Sequence, residues 1–295
     1  MNRKNKKNGI GSSLFRFLIL GAACAMILYS GSRLWSYFSE NRANKQDQQE
    51  LIDQAVVILP PQEADDPQNE GIFPEDSTNP SEEETQPAQA PLKTAPIYVD
   101  FEKLKQENKD IIGWIYCEGT KINYPIIQGE DNQYYLYRSH TGAYNSNGCI
   151  FMDFRNLADF TDHNNIIYGH NMQQDLMFGS LKYYRDQAYY EEHPVFWILT
   201  PDKAFQVDLI AGLVTPSDSD TYELFSYTED LQERLEYALS KSTFDAGDVD
   251  IQSIEHVVTL STCTYEYATA RYVVIGNLVE VAYPEPPEIP GTTEP

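Results

Sequence analysis

Positive charge is scarce in this chain beside negative charge. Its 295 residues carry 21 Lys and Arg against 45 Asp and Glu, a formal net charge of −24. A protein that grips a nucleic-acid backbone needs a basic face, so that class of partner is excluded. Cysteine is scarce too: there are four, without the paired spacing of a zinc site. The chain has no phosphate-binding glycine loop, no dinucleotide-binding fingerprint and no internal repeat. Asp218, Asp220 and Glu223 gather acids in one stretch, but lack the spacing and the glycine of a calcium-binding hand. They read as a solvated loop, so no metal and no cofactor is expected.

What is present is unevenly distributed. Arg3, Lys4, Lys6 and Lys7 precede an apolar run over 14–34, long enough to span a bilayer. Positive charge in front of that run keeps the N-terminus inside and puts the rest of the chain outside. Leu20-Gly21-Ala22-Ala23-Cys24 hints at a lipoprotein-type cleavage site. Apolar residues continue past it through Tyr29, so residues 1–35 are read as a basic tail and an uncleaved transmembrane signal-anchor. The next stretch, 36–97, reads as a polar, partly helical stalk and then a spacer. From 60 to 96 it is rich in Pro, Glu, Asp, Gln and Thr, too poor in apolar residues to order itself. A folded domain is expected over 98–283, and 284–295 as a disordered tail.

Inside that domain, Asp100 is placed to cap a short helix, with Val99 and Leu104 at the hydrophobic-staple spacing. Strands are expected at 111–117, 121–127, 149–153 and 165–168, and a hairpin of 196–200 with 205–215 around Pro201-Asp202-Lys203. Helical turns are expected within 175–190. Leu231, Leu235, Ala238 and Leu239 recur at helical spacing over 226–240, with Ser226 and Glu229 as a capping box. Two more strands run through Val257-Val258-Thr259-Leu260 and Arg271-Tyr272-Val273-Val274-Ile275. Many short strands between turn signals describe a mainly β barrel or sandwich with added helices.

The last two strands carry the candidate chemistry. The polar loop over 264–270 is short enough to return the chain antiparallel. Cys263 then ends one strand and Arg271 begins its neighbour. A thiol is a nucleophile as thiolate, which needs a base or a positive neighbour. An arginine beside it can hold a carbonyl or its oxyanion. The competing reading is a buried core cysteine with a solvated arginine, since free cysteine is among the most buried residue types. Cys117, Cys149 and Cys263 are an odd number outside the apolar run, so at least one is free unless it pairs between chains. Cys117 with Cys149 is left as a disulfide or as two reduced core thiols.

A thiol enzyme also needs a histidine, and the chain has five. His256 lies seven strand residues from Cys263, ~23 Å at ~3.3 Å each, and its odd offset faces it away. His193 precedes Pro194 and reads as structural, while His140 and His163 lie in polar stretches and read as solvated. His170 closes a short apolar strand, Asn164-Asn165-Ile166-Ile167-Tyr168, through Gly169, at the edge of a polar loop. A strand-end histidine at a pocket rim suits proton transfer, which puts His170 first. Ser261 shares the strand parity of Cys263, and Tyr168 that of His170. With Thr262, they are the candidate substrate contacts; packing roles are equally open for Ser261 and Tyr168.

Thr259-Leu260-Ser261-Thr262-Cys263, Arg271 on the next strand and Tyr168-Gly169-His170 resemble the motifs of the sortases, the cysteine transpeptidases of Gram-positive surfaces. The flanks resemble class B: Ile112-Gly113-Trp114-Ile115, Tyr124-Pro125-Ile126-Ile127-Gln128-Gly129, Asn132 to Tyr137, Ile150-Phe151-Met152-Asp153-Phe154-Arg155-Asn156, and Met177-Phe178-Gly179-Ser180-Leu181. The likeness covers about Tyr98 to Tyr283. It implies an eight-stranded sortase-type barrel with an N-terminal helix and a helix before the cysteine strand. It implies Cys263 as nucleophile, His170 as acid and base, and Arg271 as carbonyl and oxyanion support. The substrates implied are secreted proteins with a C-terminal sorting signal. The acceptor is an amine of the lipid-linked peptidoglycan precursor, or a pilin lysine in a pilus-building relative. A hydrolytic cysteine protease and a non-enzymatic surface module are the other readings.

Overall fold

The computed structural model describes residues 10–60 and 93–287. Most of the acidic spacer and the tail from residue 288 lie outside the described residues. The chain divides into two units, Met1–Gln48 and Gln49–Pro295. The first holds most of helix α1 (Ile10–Ala55), whose segment Phe15–Ser36 is long and apolar enough to cross a membrane. Its large side chains, such as Phe17, Leu28 and Trp35, are exposed.

The second unit starts earlier than composition suggests. Leu51 and Ala55, on the last turns of α1, are buried. Strand β1 (Val56–Ile58) pairs antiparallel with β2 (Ile97–Val99). The stretch read as a stalk thus ends in a packed segment, because Leu51 and Ala55 meet Ile97, Val99 and Leu104 in one apolar cluster. Helix α2 (Phe101–Glu107) begins where the sequence places it: the Asp100 carboxylate accepts from the Lys103 N–H at 3.1 Å. Such a cap contributes about 1 kcal/mol.

The remaining strands are β3 (Ile111–Tyr116), β4 (Asn123–Ile127), β5 (Ile150–Met152) and β6 (Asn164–Tyr168). After 3₁₀ turns and the short helix α3 (Gln187–Glu192) come β7 (Val195–Leu199) and β8 (Ala204–Pro216). Helix α4 (Thr228–Lys241) precedes β9 (Val257–Cys263) and β10 (Ala270–Val281). β3 to β10 close an eight-stranded barrel in the order β10-β8-β7-β3-β4-β5-β6-β9. Its neighbours are antiparallel except β4–β5 and β6–β9. This is the architecture expected from the resemblance.

Strand alternation sorts the core. Val258 and Leu260 of β9, with Tyr272 and Val274 of β10, fill the barrel beside Ile167, Phe178 and Phe196. Val257, Val273 and Ile275 face outward and are covered by Leu231, Leu235 and Ala238 of α4. Those three recur on one helix face, so α4 is held by burial. The expected capping box is not used. The N-cap is Tyr227 and makes no side-chain cap, because the helix starts late enough to leave Ser226 outside it. Since Cys263 and Ser261 have the parity of Val257, they belong to the outer face of β9.

Candidate active site

Two registers bring the chemistry to one end of the barrel. In β9–β10, Arg271 is the direct partner of Cys263. In the parallel pair β6–β9, Tyr168 is the partner of Ser261. His170 and Cys263 each follow two residues later, so they leave adjacent strands side by side. Three hydrogen bonds fix this exit. The Gly169 N–H donates to Ser261 O at 3.1 Å, and Thr262 Oγ1 to Gly169 O at 2.7 Å. Asn171 Nδ2 donates to Cys263 O at 2.9 Å.

Gly169 is required by space. A Cβ there would fall 2.5 Å from Ile150 Cδ1 and 2.7 Å from the Phe178 ring. Gly169→Ala is therefore expected to cost about 1–3 kcal/mol of stability by overpacking. It should also lower kcat/KM by shifting His170; thermal melts and peptide cleavage check both. Unchanged values would mean that Phe178 yields without moving the strand end.

His170 is half-buried, with its ring 5.8 Å from that of Tyr137. Nε2 lies 2.8 Å from the carbonyl oxygen of Leu136. A carbonyl can only accept, so Nε2 carries the proton in this contact and Nδ1 is the nitrogen left to exchange one. The orienting group is thus a backbone carbonyl, which no side-chain pattern announces. The other histidines are placed elsewhere. His193 Nδ1 pairs with Glu118 O at 3.1 Å, and His163 is half-buried and stacked on His256 at 5.7 Å rather than solvated. His256 Nδ1 pairs with Asp162 O at 3.0 Å.

Cys263 is a free, half-buried thiol, whereas Cys117 and Cys149 are free and fully buried. These two are core thiols and not a disulfide. Burial pushes the Cys117 thiol up to about 11 and the Cys149 thiol up to about 12, so neither is a thiolate near neutrality. Arg271 Nη1 donates to the Ala270 carbonyl at 3.0 Å, which holds the guanidinium close to its own strand. The loop between Cys263 and Arg271 is tied down by Arg185. Its Nη2 donates to Thr264 Oγ1 at 3.0 Å and pairs with Glu266 at 2.5 Å, while the guanidinium lies 4.9 Å over the Tyr272 ring.

Cys263, His170 and Arg271 open onto one cavity of about 360 Å³. Ser261, Thr262 and Tyr168 also line it, as do Asn132, Leu136, Tyr137, Phe151, Ser217 and Tyr222. The Thr262 hydroxyl is engaged with Gly169 O. Ser261 Oγ lies 2.9 Å from Tyr222 Oη, and the Tyr168 and Tyr222 rings stack at 6.1 Å. Burial pushes the Tyr222 hydroxyl up to about 12, and burial with the nearby Asp153 charge raises Tyr168 further, so both stay neutral hydrogen-bonding groups. Ser217 and Tyr222 carried no sequence signal for this place; they arrive on the connection between β8 and α4. Among the described residues, no group of three His, Cys, Asp or Glu is placed to hold a metal ion.

The chain is similar to known proteins of one family. The sortase domain family model matches residues 115–279. Sortase B of Staphylococcus aureus (strain NCTC 8325 / PS 47) is 35% identical over 185 residues, covering 62% of this chain and 75% of that protein. The solved Staphylococcus aureus sortase B–substrate complex is similar at a TM-score of 0.57 and 33% identity, covering 62% of this chain and 85% of that one. A sortase B complexed with triglycine gives the same TM-score, 0.57, at 33% identity, covering 62% of this chain and 86% of that one.

Proposed function

We infer the reaction from the premise that the chain belongs to the sortase family, as a class B member, and is therefore a cysteine transpeptidase. Its substrate is a secreted protein with a C-terminal sorting signal, and its acceptor an amine of the lipid-linked peptidoglycan precursor. Cys263 Sγ attacks a backbone carbonyl of the signal, and the C–N bond breaks to leave a thioester. His170 Nδ1 takes the proton of the Cys263 thiol and gives it to the departing amine. It then takes one from the incoming amine, which attacks the thioester, forms the new amide and restores the Cys263 thiol. Arg271 donates to the carbonyl oxygen while it bears negative charge.

The single observation that supports this assignment of roles is the shared cavity mouth. Arg271 is in register with Cys263, and His170 stands at the end of the adjacent strand with one ring nitrogen uncommitted. Related structures, a sortase B–substrate complex and a sortase B complexed with triglycine, support a peptide donor and an amine acceptor. Helix Phe15–Ser36 acts as the signal-anchor, with its N-terminus in the cytoplasm and the barrel outside, where both substrates pass.

Product partitioning tests the proposal. A peptide cleaved by the chain is incubated with rising concentrations of a peptidoglycan stem-peptide amine. Positioning raises an amine's effective concentration over that of water. The expected result is a shift of product from free acid to amide, with no slowing of thiol acylation. Amide formed only with a pilin lysine would move the enzyme to pilus assembly. Free acid alone, across stem-peptide, oligoglycine and lysine amines, would make it a protease.

A further inference from the structure

Three walls of the cavity beside Cys263 converge on a group that does not itself line it. Asp153, just beyond β5, is fully buried. Its Oδ1 accepts from Arg155 N at 3.0 Å and Arg155 Nε at 2.9 Å. Its Oδ2 accepts from Arg155 Nη2 at 3.0 Å, Asn132 Nδ2 at 3.0 Å and Tyr168 Oη at 2.9 Å. Arg155 Nη2 also donates to the Tyr222 carbonyl at 3.0 Å, across 67 residues of sequence. Tyr222 in turn meets Ser261 through their hydroxyls.

Burying a carboxylate is costly, and a buried ion pair is weak evidence of a stability role, since apolar residues of similar volume often serve as well. Here burial opposes the charge of Asp153, but the hydrogen bonds from Arg155, Tyr168 and Asn132 outweigh it and hold the carboxylate below its usual range. The five donors come from the 132 loop, β6 and the turn after β5. A sixth contact, from Arg155, reaches the connection before α4. Each of these outer segments supplies a wall of the cavity: Asn132, Tyr168 and Tyr222. An apolar filler would pack the space, but it would not set the angle of a tyrosine hydroxyl or the height of a loop carbonyl.

We propose that Asp153 and Arg155 form a positioning pair that holds Asn132, Tyr168 and Tyr222 in the shape that recognises the peptide donor. This rests on reading the cavity as the donor groove of the transpeptidase. The pair acts on how the sorting peptide binds, not on the thiol, because none of its contacts reaches Cys263 or His170.

The test compares the unaltered chain with Arg155→Lys, which keeps the charge but loses the fork that reaches Tyr222. Asp153→Asn is measured beside it, with Arg155→Gln, which removes the charge at a part-exposed side chain, should Asp153→Asn fail to fold. The readouts are kcat and KM on a cleaved sorting peptide, and the alkylation rate of Cys263 by iodoacetamide. Loss of positioning should raise KM about tenfold. It should leave kcat within threefold and alkylation, which needs no groove, within twofold. Variants that melt earlier but keep KM would make the pair structural only and overturn the proposal. So would a fall in alkylation parallel to the rise in KM, since the pair would then act on the thiol. If the unaltered chain cleaves no sorting peptide while Cys263 still alkylates, the transpeptidase reading itself fails and the proposal falls with it.

Discussion

Cys263→Ala is expected to abolish peptide cleavage and covalent trapping while leaving the melting curve within a few degrees of the parent. The reason is one of exposure and ionisation. Of the three cysteines in the second unit, Cys263 alone is part-exposed, and it alone opens onto the cavity with His170 and Arg271. The Cys117 and Cys149 thiols have pKa values raised by burial, so their thiolates are minor species below about pH 11 and are screened from reagent as well. Among the three cysteines of the second unit, iodoacetamide at pH 8 should accordingly label Cys263 alone quickly, and that mapped label should vanish in Cys263→Ala. Removing Cys263 takes away a half-buried side chain at a strand end, and the fold should tolerate it. Retained turnover in this variant, with Cys117 or Cys149 labelled in the folded state, would remove Cys263 from the mechanism.

The second large effect is expected at Arg271. Register alone sets its guanidinium across from the thiol, and the donation to Ala270 O uses one of its five N–H groups. The rest can point into the cavity. If they hold the oxygen on which charge develops, Arg271→Ala should lower kcat by about 10²–10³, the loss typical of removing an oxyanion donor. Arg271→Lys should recover little of it. One ammonium on a flexible stem cannot hold its own strand and an oxyanion with fixed geometry at once. Alkylation of Cys263 separates this from a general disturbance, because a small reagent does not need the oxyanion site. A change of less than threefold in both variants would return Arg271 to a surface role.

The resemblance and the local pattern carried different parts of the site. Cys263 and Arg271 could be paired from the chain itself, because a short loop between two apolar runs makes a hairpin and a hairpin makes strand ends neighbours. His170 could be singled out among the histidines by its position at a strand end. Its adjacency to Cys263 depends on the parallel pairing of β6 with β9, whose partners are some ninety residues apart in sequence, as in the Asn171–Cys263 contact. Periodicity says nothing about such pairings; only the motif order, as a family resemblance, anticipated it. Ser226 shows the opposite failure. A capping-box spacing was present, but the helix begins where Leu231 can be buried, and packing moved the start past the cap.

By itself the sequence determined what depends on neighbours along the chain. It set the apolar segment, the cap at Asp100, the face of α4, most strand positions and the hairpin that presents Cys263 beside Arg271. These follow from turn chemistry and from the periods of 2 and 3.6 residues, which are local properties. The tertiary structure decided the packing of Leu51 and Ala55 beneath β2, the entry of Tyr222 into the cavity, the Leu136 carbonyl on His170 and the convergence of three walls on Asp153. Those are meetings of distant segments. Two of them are made through backbone carbonyls, which every residue carries alike, so no choice of side chain along the chain could have marked them.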